Sequence, residues 1–423
     1  MNLHLRRTQK HGTAHLGIHR HYGWVICIAC LLLHACCCGL AVSIISIYAP
    51  YLKDALELTN TQTSLISTMR ALSSMLFILT ADKFYKRFSL RTGACIACLI
   101  LAASCILMAH APNVALCYTA AAGFGLSYAY GTMVPIALFM KNWFTDRRAT
   151  AIAIAACGSG VTSTIAPPVF TKILESRGLT SAFTLECFLA ILIAVVLFLI
   201  LRSTPEEKGL MPYQDLVPAS KKEIYAHHRK RELRKGLSRK ETLMFLIAVF
   251  LIGSIGPPYL AHLTIHFHFI GFTPATAALA FSIVGVLMVV AKFLFGIASD
   301  RYGTFPVNFV YIGCLMASCL IASLLPGGSF LIYPASVLGG IGISLVTIGI
   351  TVWSTDLAAE KDYAKMVESS QSANAVGALA FSFLPGILAD LSGGSYRSTY
   401  VMFLIMALVV MVMIQKIYRR HLI

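Results

Sequence analysis

Charged residues are scarce in this sequence. Only 12% of its 423 residues are Asp, Glu, Lys or Arg, whereas a soluble domain carries about a quarter. Mean hydropathy is +0.76 and 57% of residues are hydrophobic, which excludes a water-soluble globule. The sequence contains twelve apolar runs. The length of each is close to the roughly 20 residues that an α-helix needs to cross a bilayer. The composition therefore predicts an all-α membrane protein with twelve transmembrane helices.

Motifs of other protein classes are also missing. No Gly-x-x-x-x-Gly-Lys segment is present, so we expect no P-loop and no direct use of ATP. Residues 1–21 are polar and basic rather than a cleavable signal peptide, and we expect a cytoplasmic tail. Cys27-x-x-Cys30 and Cys95-x-x-Cys98 lie inside apolar runs without a second pair in a loop. We interpret these cysteines as packing residues and expect no metal and no cofactor.

The basic residues gather on one side of the predicted bundle. A net charge of +16 would suit a nucleic acid, but 28 of the 34 Lys and Arg residues fall in tails and loops on the side of the Asp82 and Asp300 loops. Four fall on the other side. This asymmetry follows the positive-inside rule and predicts a multi-pass protein of the cell inner membrane with both termini cytoplasmic. It also removes the argument for a nucleic-acid partner.

The chain is predicted to be duplicated. Ser299-Asp300-Arg301 ends one apolar run, and a weaker copy around Asp82 ends another 218 positions earlier. Many secondary transporters are built from two related halves. The predicted parts are a cytoplasmic tail (1–21), a six-helix half (22–201), a charged cytoplasmic linker (202–241), a second six-helix half (242–418) and a short tail (419–423).

Lys292 is the first candidate for function. It precedes Asp300 by eight residues, about 12 Å of helix, and is therefore near mid-depth in its span. A charge at that depth costs about 2.5–3.5 kcal/mol on insertion scales, so it is a functional-site hypothesis by default. The alternative is a snorkelling or structural lysine, but no embedded carboxylate suits that pairing. We interpret Lys292 as the counter-charge for an anion.

Arg70 is the second embedded cation. It precedes Asp82 by twelve residues, about 18 Å of helix, too deep to reach the interface easily. Arginine grips a carboxylate bidentately, although it also links helices as a multiple donor. Because Arg70 and Lys292 occupy the second helix of their own halves, the duplication predicts that they face one cavity.

Other polar residues complete the candidate set. His34 and His262 are proton carriers or ordinary hydrogen-bonding histidines on predicted cavity helices. Tyr130 lines the cavity or simply packs. Three residues in the signature loops are expected to latch helices together rather than touch substrate: Asp82, Asp300 and Arg301.

Five motifs point to a family. They are Tyr22-Gly23-Trp24-Val25, Asn142-Trp143-Phe144-Thr145-Asp146-Arg147-Arg148, Gly158-Ser159-Gly160, Gly271-Phe272-Thr273, and Lys292 followed by Gly296-x-x-Ser299-Asp300-Arg301. Together they resemble the oxalate/formate antiporter family, bacterial relatives of the monocarboxylate transporters. The resemblance covers residues 22–418 and implies the major facilitator fold, with two pseudo-symmetric six-helix halves and alternating access. It also implies that Lys292 is the cation that binds the carboxylate.

Three positions depart from that family. Asn374 stands where the oxalate exchanger has a second cation, so a dianion loses a charge partner unless Arg70 replaces it. Val42 precedes Ser43 where an aromatic residue is common. Met288 stands where monocarboxylate transporters place an aspartate, so proton coupling through a carboxylate has no support at that position.

The sequence therefore predicts a secondary transporter of a small organic anion, foremost a monocarboxylate, and not an enzyme. Exchange and proton coupling both stay open, and we expect a monomer in the lipid bilayer. The predicted substrate site consists of Lys292, Arg70, Asn374, Tyr130 and His262. Two alternatives remain: efflux of amphipathic compounds, with structural cations, and an anion sensor that moves nothing.

Overall fold

The computed structural model describes residues 21–44, 48, 51–52, 54–58, 60–214, 236–382, 384–393 and 395–422. Residues 1–20 of the predicted tail and 215–235 of the linker lie outside the described residues. Within the described ranges the chain is helical apart from turns and one isolated β-bridge. Eleven of these helices are long and apolar enough to cross a membrane, or twelve if the bent pair Leu65–Ile78 and Ala81–Arg87 counts as one span. The predicted fold class is confirmed.

Six spans form the first half. The last two are separate helices joined at Gly178, whose φ of +78° is not helical and lies in the region that glycine adopts without strain. In chain order the spans are Tyr22–His34 with the π-helical segment Ala35–Ile44 (span 1), Asn60–Ile78 with Ala81–Arg87 (span 2), Leu90–Ala109 (span 3), Val114–Gly131 with Met133–Trp143 (span 4), and Arg148–Ile200, divided into 148–177 (span 5) and 179–200 (span 6).

Six further spans form the second half. A capping box of Ser238 and Glu241 satisfies the free backbone N–H groups at its start. The spans are Arg239–Phe269 (span 7), Pro274–Tyr302 (span 8), Thr304–Leu324 (span 9), Ile332–Ile343 with Ser344–Val346 and Ile348–Leu357 (span 10), Tyr363–Ala380 with Leu384–Leu391 (span 11) and Arg397–Leu422 (span 12).

The two halves pack through equivalent helix pairs. In the first half span 1 packs on the segment of spans 5 and 6, span 2 on span 4, and span 3 on span 4. In the second half span 7 packs on spans 11 and 12, span 8 on span 10, and span 9 on span 10. The halves meet where span 5 lies against span 8 and span 2 against span 11. These matching pairs are what a duplicated chain is expected to form.

Glycines allow the closest helix crossings. At Gly158 of span 5 a Cβ atom would overlap the Leu31 carbonyl oxygen of span 1, and at Gly377 of span 11 it would overlap the Phe250 carbonyl oxygen of span 7. Small residues at crossings let backbones approach, which matters in lipid because the hydrophobic effect does not drive helices together there. Glycine therefore allows close packing at equivalent helix crossings in both halves.

We expect Gly158→Val to destabilise the first half. The new methyl groups would meet backbone atoms of span 1, which cannot rotate away as a side chain can. Overpacking of this kind costs about 1–3 kcal/mol, so the thermal unfolding midpoint of the purified protein should fall clearly. Gly313→Val in span 9 is the matched control, because its Cβ would meet nothing within 4 Å. Equal midpoints for the two variants would contradict the close crossing.

Candidate functional site

The two halves are joined at the end of the bundle that carries the Asp82 and Asp300 loops, called here the basic end. Asp300, near the end of span 8, accepts hydrogen bonds from the backbone N–H groups of Ala149 (3.2 Å) and Thr150 (2.7 Å) in span 5. N–H groups in the first turn of a helix have no partner within the helix, and the helix dipole favours a carboxylate there. Asp300 therefore caps a helix of the opposite half.

A second junction has the equivalent position in the duplication. Glu368 of span 11 accepts a hydrogen bond from the backbone N–H of Asp82 in span 2, at 3.1 Å. The Asp82 carboxylate itself pairs with Lys86 at 2.5 Å. The Arg301 guanidinium lies over the ring of its neighbour Tyr302, 5.2 Å from the centroid. Asp82 and Asp300 thus lie at junctions that close the basic end, whereas their action as latches during transport stays a prediction.

Lys292 is enclosed within the bundle. Its exposed fraction is 2%, and Gly296, one turn further along span 8, packs against Ala153 of span 5. The amine interacts electrostatically with His34 of span 1 and with Cys157 of span 5. Among the described residues, no carboxylate and no hydrogen-bond acceptor pairs with it. A structural ion pair therefore finds no support in this part of the chain.

Arg70 lies where spans 2 and 4 cross closely. A Cβ at Gly125 of span 4 would overlap the Arg70 carbonyl oxygen. The Nε atom is buried and has no hydrogen-bond partner in the described part of the protein. Tyr128 and Cys38 are the titratable groups that interact electrostatically with its guanidinium. Like Lys292, this cation is held at bilayer depth without a counter-charge from the residues that the structure describes.

The Cys38 thiol connects the two cations. It lies in the π-helical segment of span 1 and interacts electrostatically with both Lys292 and Arg70. Ser159, in the glycine-flanked segment of span 5, is a further polar neighbour. One small side chain is thus in electrostatic range of both cations, and a single cavity faced by the two stays a prediction. We call Cys38, Lys292 and Arg70 the cation site.

His34 borders the cation site. Its side chain is 3% exposed, and the backbone N–H of Ser159 donates a hydrogen bond to its Nδ1 at 3.3 Å. The His34 ring is therefore held against span 5 in electrostatic range of Lys292, and its role as a proton carrier stays a prediction.

Tyr130 lies near the basic end instead. Its hydroxyl shares a 2.8 Å hydrogen bond with Thr80 Oγ1 at the bend of span 2, and its ring stacks on Phe84 at 4.1 Å. The Tyr85 hydroxyl donates to its carbonyl oxygen. Among the described residues, no contact joins Tyr130 to the cation site. These contacts indicate packing, the alternative that the sequence had left open.

His262 and Asn374 belong to the second half and have weaker links to the site. His262 of span 7 stacks on Tyr396 with centroids 5.3 Å apart, and its Nδ1 has no hydrogen-bond partner among described residues. The buried Oδ1 of Asn374 also lacks a partner there and faces Gly253, at the crossing of spans 7 and 11. No described contact connects either side chain to Lys292, so both stay predicted substrate ligands.

Sequence reasoning missed two embedded residues. Cys38 lies in a run of three cysteines, which gives no sign of which one lies near a cation. Glu186 of span 6 is 1% exposed, and it was not among the candidate residues predicted from the sequence. The signal was available, since Glu186 is the only acidic residue between Glu175 and Glu206.

Three other thiols form a buried group beside the cation site. The Sγ atoms of Cys36, Cys37 and Cys98 all lie within 4.8 Å of one another, and those of Cys37 and Cys98 are 3.8 Å apart. Thiolates are ligands for soft metal ions, but thiols of this kind also pack as small apolar groups. Their assignment as packing residues stays a prediction.

Fold and site together define a class of protein. Two equivalent six-helix halves enclose embedded cations near the line where the halves meet, which is the architecture of a secondary transporter. The chain belongs to the Major Facilitator Superfamily, whose family model matches residues 31–328 and 242–421. Members of this superfamily are transporters, so the predicted function class, membrane transport, is confirmed. No curated protein is significantly similar to the chain.

Solved structures share the whole fold at low sequence identity. The Escherichia coli fucose:proton symporter FucP has a TM-score of 0.71 and 15% identity, over 94% of this chain and 99% of that one. The proton:xylose symporter XylE has a TM-score of 0.69 and 14% identity, over 93% and 95%. The human organic anion transporter MFSD10 has a TM-score of 0.63 and 14% identity, over 93% and 99%. At these identities the similarity establishes the fold and not the substrate.

Proposed function

We propose that the protein moves a small carboxylate, foremost a monocarboxylate, by alternating access of its two halves. The observation that carries this proposal is the pair of embedded cations, Lys292 and Arg70, gathered around Cys38 with no carboxylate partner among the described residues. Unpaired charges at bilayer depth are costly and mark substrate pathways. A bound carboxylate supplies the missing negative charge, and Arg70 can hold it through two parallel hydrogen bonds.

A neutral substrate fits this site less well. Sugar symporters share the fold, but a sugar offers hydroxyl groups and no charge. Burying Lys292 and partly burying Arg70 without an anion leaves their desolvation uncompensated, whereas one carboxylate offsets it by direct attraction. The resemblance of five motifs to the oxalate/formate antiporter family favours the same substrate class. Either exchange or proton coupling is compatible with this geometry.

The proposed orientation follows from the charge distribution. The basic end carries most of the Lys and Arg residues of the loops, so we place it in the cytoplasm by the positive-inside rule. Both termini then lie inside, in the inner membrane of the cell. Because Asp300 and Glu368 join the halves at that end, we assign the structure to a state closed to the cytoplasm.

Counterflow tests the proposal. Purified protein in liposomes loaded with unlabelled carboxylate should accumulate the same labelled carboxylate, tested as a panel of mono- and dicarboxylates. Exchange of at least one carboxylate supports the proposal. Binding without exchange would instead identify an anion sensor. If no carboxylate binds or exchanges and an amphipathic compound is exported, the protein is an efflux transporter.

Arg70→Gln should separate one-charge from two-charge substrates. Lys292 alone can neutralise a monocarboxylate, whereas a dicarboxylate needs a second cation. We expect exchange of dicarboxylates to fall at least about tenfold more than exchange of monocarboxylates, because truncating a buried charge pair costs about 2–5 kcal/mol. Arg70→Lys keeps the positive charge but loses the two parallel hydrogen bonds of the guanidinium. Its rate of dicarboxylate exchange should lie between those of wild type and Arg70→Gln. Equal losses for both substrate classes would show that Arg70 does not bind the second carboxylate.

A further inference from the structure

Glu186 is an embedded acid that the cation site does not use. It lies seven residues beyond Leu179, the start of span 6, about 10 Å along the helix, with about 21 Å of helix remaining to Ile200. It is therefore well inside the apolar layer. An ionisable residue at such a depth is rare and is a functional-site hypothesis by default.

The surroundings of Glu186 do not stabilise a negative charge. Its side chain is 1% exposed, and neither carboxyl oxygen has a hydrogen-bond partner among the described residues. The structure places no cation near it in the described part of the chain; the cations of the site interact with Cys38 and not with Glu186. An isolated buried carboxylate is very unfavourable, so such a group takes up a proton when it is enclosed. The enclosed state of this transporter therefore favours the neutral acid.

Four titratable groups face Glu186, and none of them is basic. Tyr48, after span 1 in the chain, Cys105 of span 3 and Cys187 of span 6 interact with its carboxyl group. Cys36, in the π-helical segment of span 1, is the fourth. Phe183 packs on the Tyr48 ring at 4.2 Å and closes the pocket on the side of span 6. Tyr48 and Cys105 are potential hydrogen-bond donors to the carboxyl group, so the pocket can exchange a proton without an ion pair.

A purely structural role does not explain this residue. A protonated carboxyl group without hydrogen bonds packs no better than leucine and pays desolvation that leucine does not. What a carboxyl group has and leucine lacks is the ability to take up and release a proton. The presence of Glu186 is therefore best explained by titration.

Span 1 connects Glu186 to the cation site. The same π-helical segment, Ala35–Ile44, carries Cys36, in electrostatic range of Glu186, and Cys38, in electrostatic range of Lys292 and Arg70. π-helical segments occur mostly at functional sites, and their looser register lets a helix adjust locally. A shift of this segment when a carboxylate binds would alter the contacts of Glu186 at the same time. The two sites can therefore be coupled without direct contact.

We propose that Glu186 is the proton-binding group of the transporter, so that one proton travels with each monocarboxylate. This inference rests on the proposed carboxylate transport. With the outer face open, the Glu186 carboxylate accepts a proton from external water and becomes a neutral acid, while the anion binds at Lys292 and Arg70. Closure of spans 1, 3 and 6 encloses the neutral acid. After the halves rock, water from the cytoplasm takes the proton and the anion leaves, so the net charge moved is zero.

Two transport modes distinguish this role from a structural one. Exchange returns a loaded carrier and needs no deprotonation, whereas net uptake driven by a pH gradient needs Glu186 to release its proton. In Glu186→Gln liposomes, gradient-driven uptake should therefore fall about tenfold or more further than exchange does, within the usual range of coupling free energies. Glu175→Gln, at an exposed position on the outer side, is the matched control. It should leave the ratio of gradient-driven uptake to exchange at the wild-type value. An unchanged ratio in Glu186→Gln overturns the proposal.

A spectroscopic measurement tests the proton directly. The infrared carbonyl band of a protonated carboxyl group should be present in wild type and in Glu175→Gln at neutral pH, and absent in Glu186→Gln. Persistence of that band in Glu186→Gln would overturn the proposal. This readout needs no substrate, so it separates the two claims: if wild type exchanges no carboxylate, the proposed function fails while the band still reports on Glu186. If wild type exchanges carboxylate but ignores a pH gradient, only the Glu186 inference fails.

Discussion

Lys292→Gln should reduce carboxylate counterflow by at least about 30-fold. Glutamine keeps a hydrogen-bond donor and nearly the length of lysine but removes the charge that offsets the substrate carboxylate. Losing one partner of a buried charge pair costs about 2–5 kcal/mol, and each 1.4 kcal/mol is a factor of ten. Because Lys292 is 2% exposed, solvent cannot restore the missing interaction. The measurement is the initial rate of labelled carboxylate uptake into preloaded liposomes.

Folding provides the control for Lys292→Gln. A buried lysine without a partner among the described residues destabilises the empty protein, so its removal should leave the thermal unfolding midpoint unchanged or raise it. An inactive variant with an unchanged midpoint therefore reports loss of binding and not misfolding. Lys172→Gln, which removes an exposed charge on the outer side, should exchange at the wild-type rate. Near-normal exchange by Lys292→Gln would make Lys292 a structural residue and would favour the efflux alternative.

The sequence was informative wherever a local rule applied. The depth of Lys292 followed from helix rise and from the position of Asp300 at the end of its run, and the structure encloses that lysine. The duplication followed from the spacing of Asp82 and Asp300, and the structure gives both halves the same helix pairs. In each case the argument needed only distances along one helix, or the similarity of two segments.

Other features depended on which way a side chain turns. The α-helical period does not predict the directions of the Cys36 and Cys38 side chains, because residues 35–44 are π-helical and the period changes there. Tyr130 was assigned to the cavity by its helix, whereas the bend in span 2 brings Thr80 and Phe84 against it. Burial of Glu186 depends on packing by spans 1 and 3, which are distant in the sequence. Such contacts come from tertiary structure and leave no periodic signal.

The junctions at the basic end constrain how the site can open. Asp300 and Glu368 each accept hydrogen bonds from backbone N–H groups of the opposite half. Separation of the halves at the basic end therefore breaks both sets of bonds. From the basic end, the cation site comes before the point where Cys157 Sγ approaches the Val289 carbonyl oxygen at 3.9 Å, because Val289 lies farther from Asp300 along span 8 than Lys292 does. Opening toward the basic end therefore requires span 5 to move away from span 8.

A disulfide between spans 5 and 8 should stop transport. A Cβ at Gly160 would lie 3.8 Å from the Val289 Cβ, close to the mean Cβ separation of about 3.8 Å in disulfides. The contact with Val289 Cγ2 disappears when valine becomes cysteine. We expect the Gly160→Cys/Val289→Cys protein to lose nearly all counterflow after mild oxidation and to regain it after reduction. The variant should also carry Cys157→Ala, because the native Cys157 thiol lies next to Val289 and could otherwise form the disulfide in place of the cysteine introduced at Gly160.

Binding distinguishes a locked transporter from a damaged one. The disulfide joins spans 5 and 8 and changes neither Lys292 nor Arg70, so the oxidised protein should still bind labelled carboxylate while it no longer exchanges it. Each single cysteine variant, oxidised in the same way, should keep its exchange rate. A protease site inserted between residues 202 and 241 would show the cross-link, since the halves then stay together after cleavage. Full exchange by the cross-linked protein would mean that spans 5 and 8 need not separate, and rocking of two rigid halves would have to be abandoned.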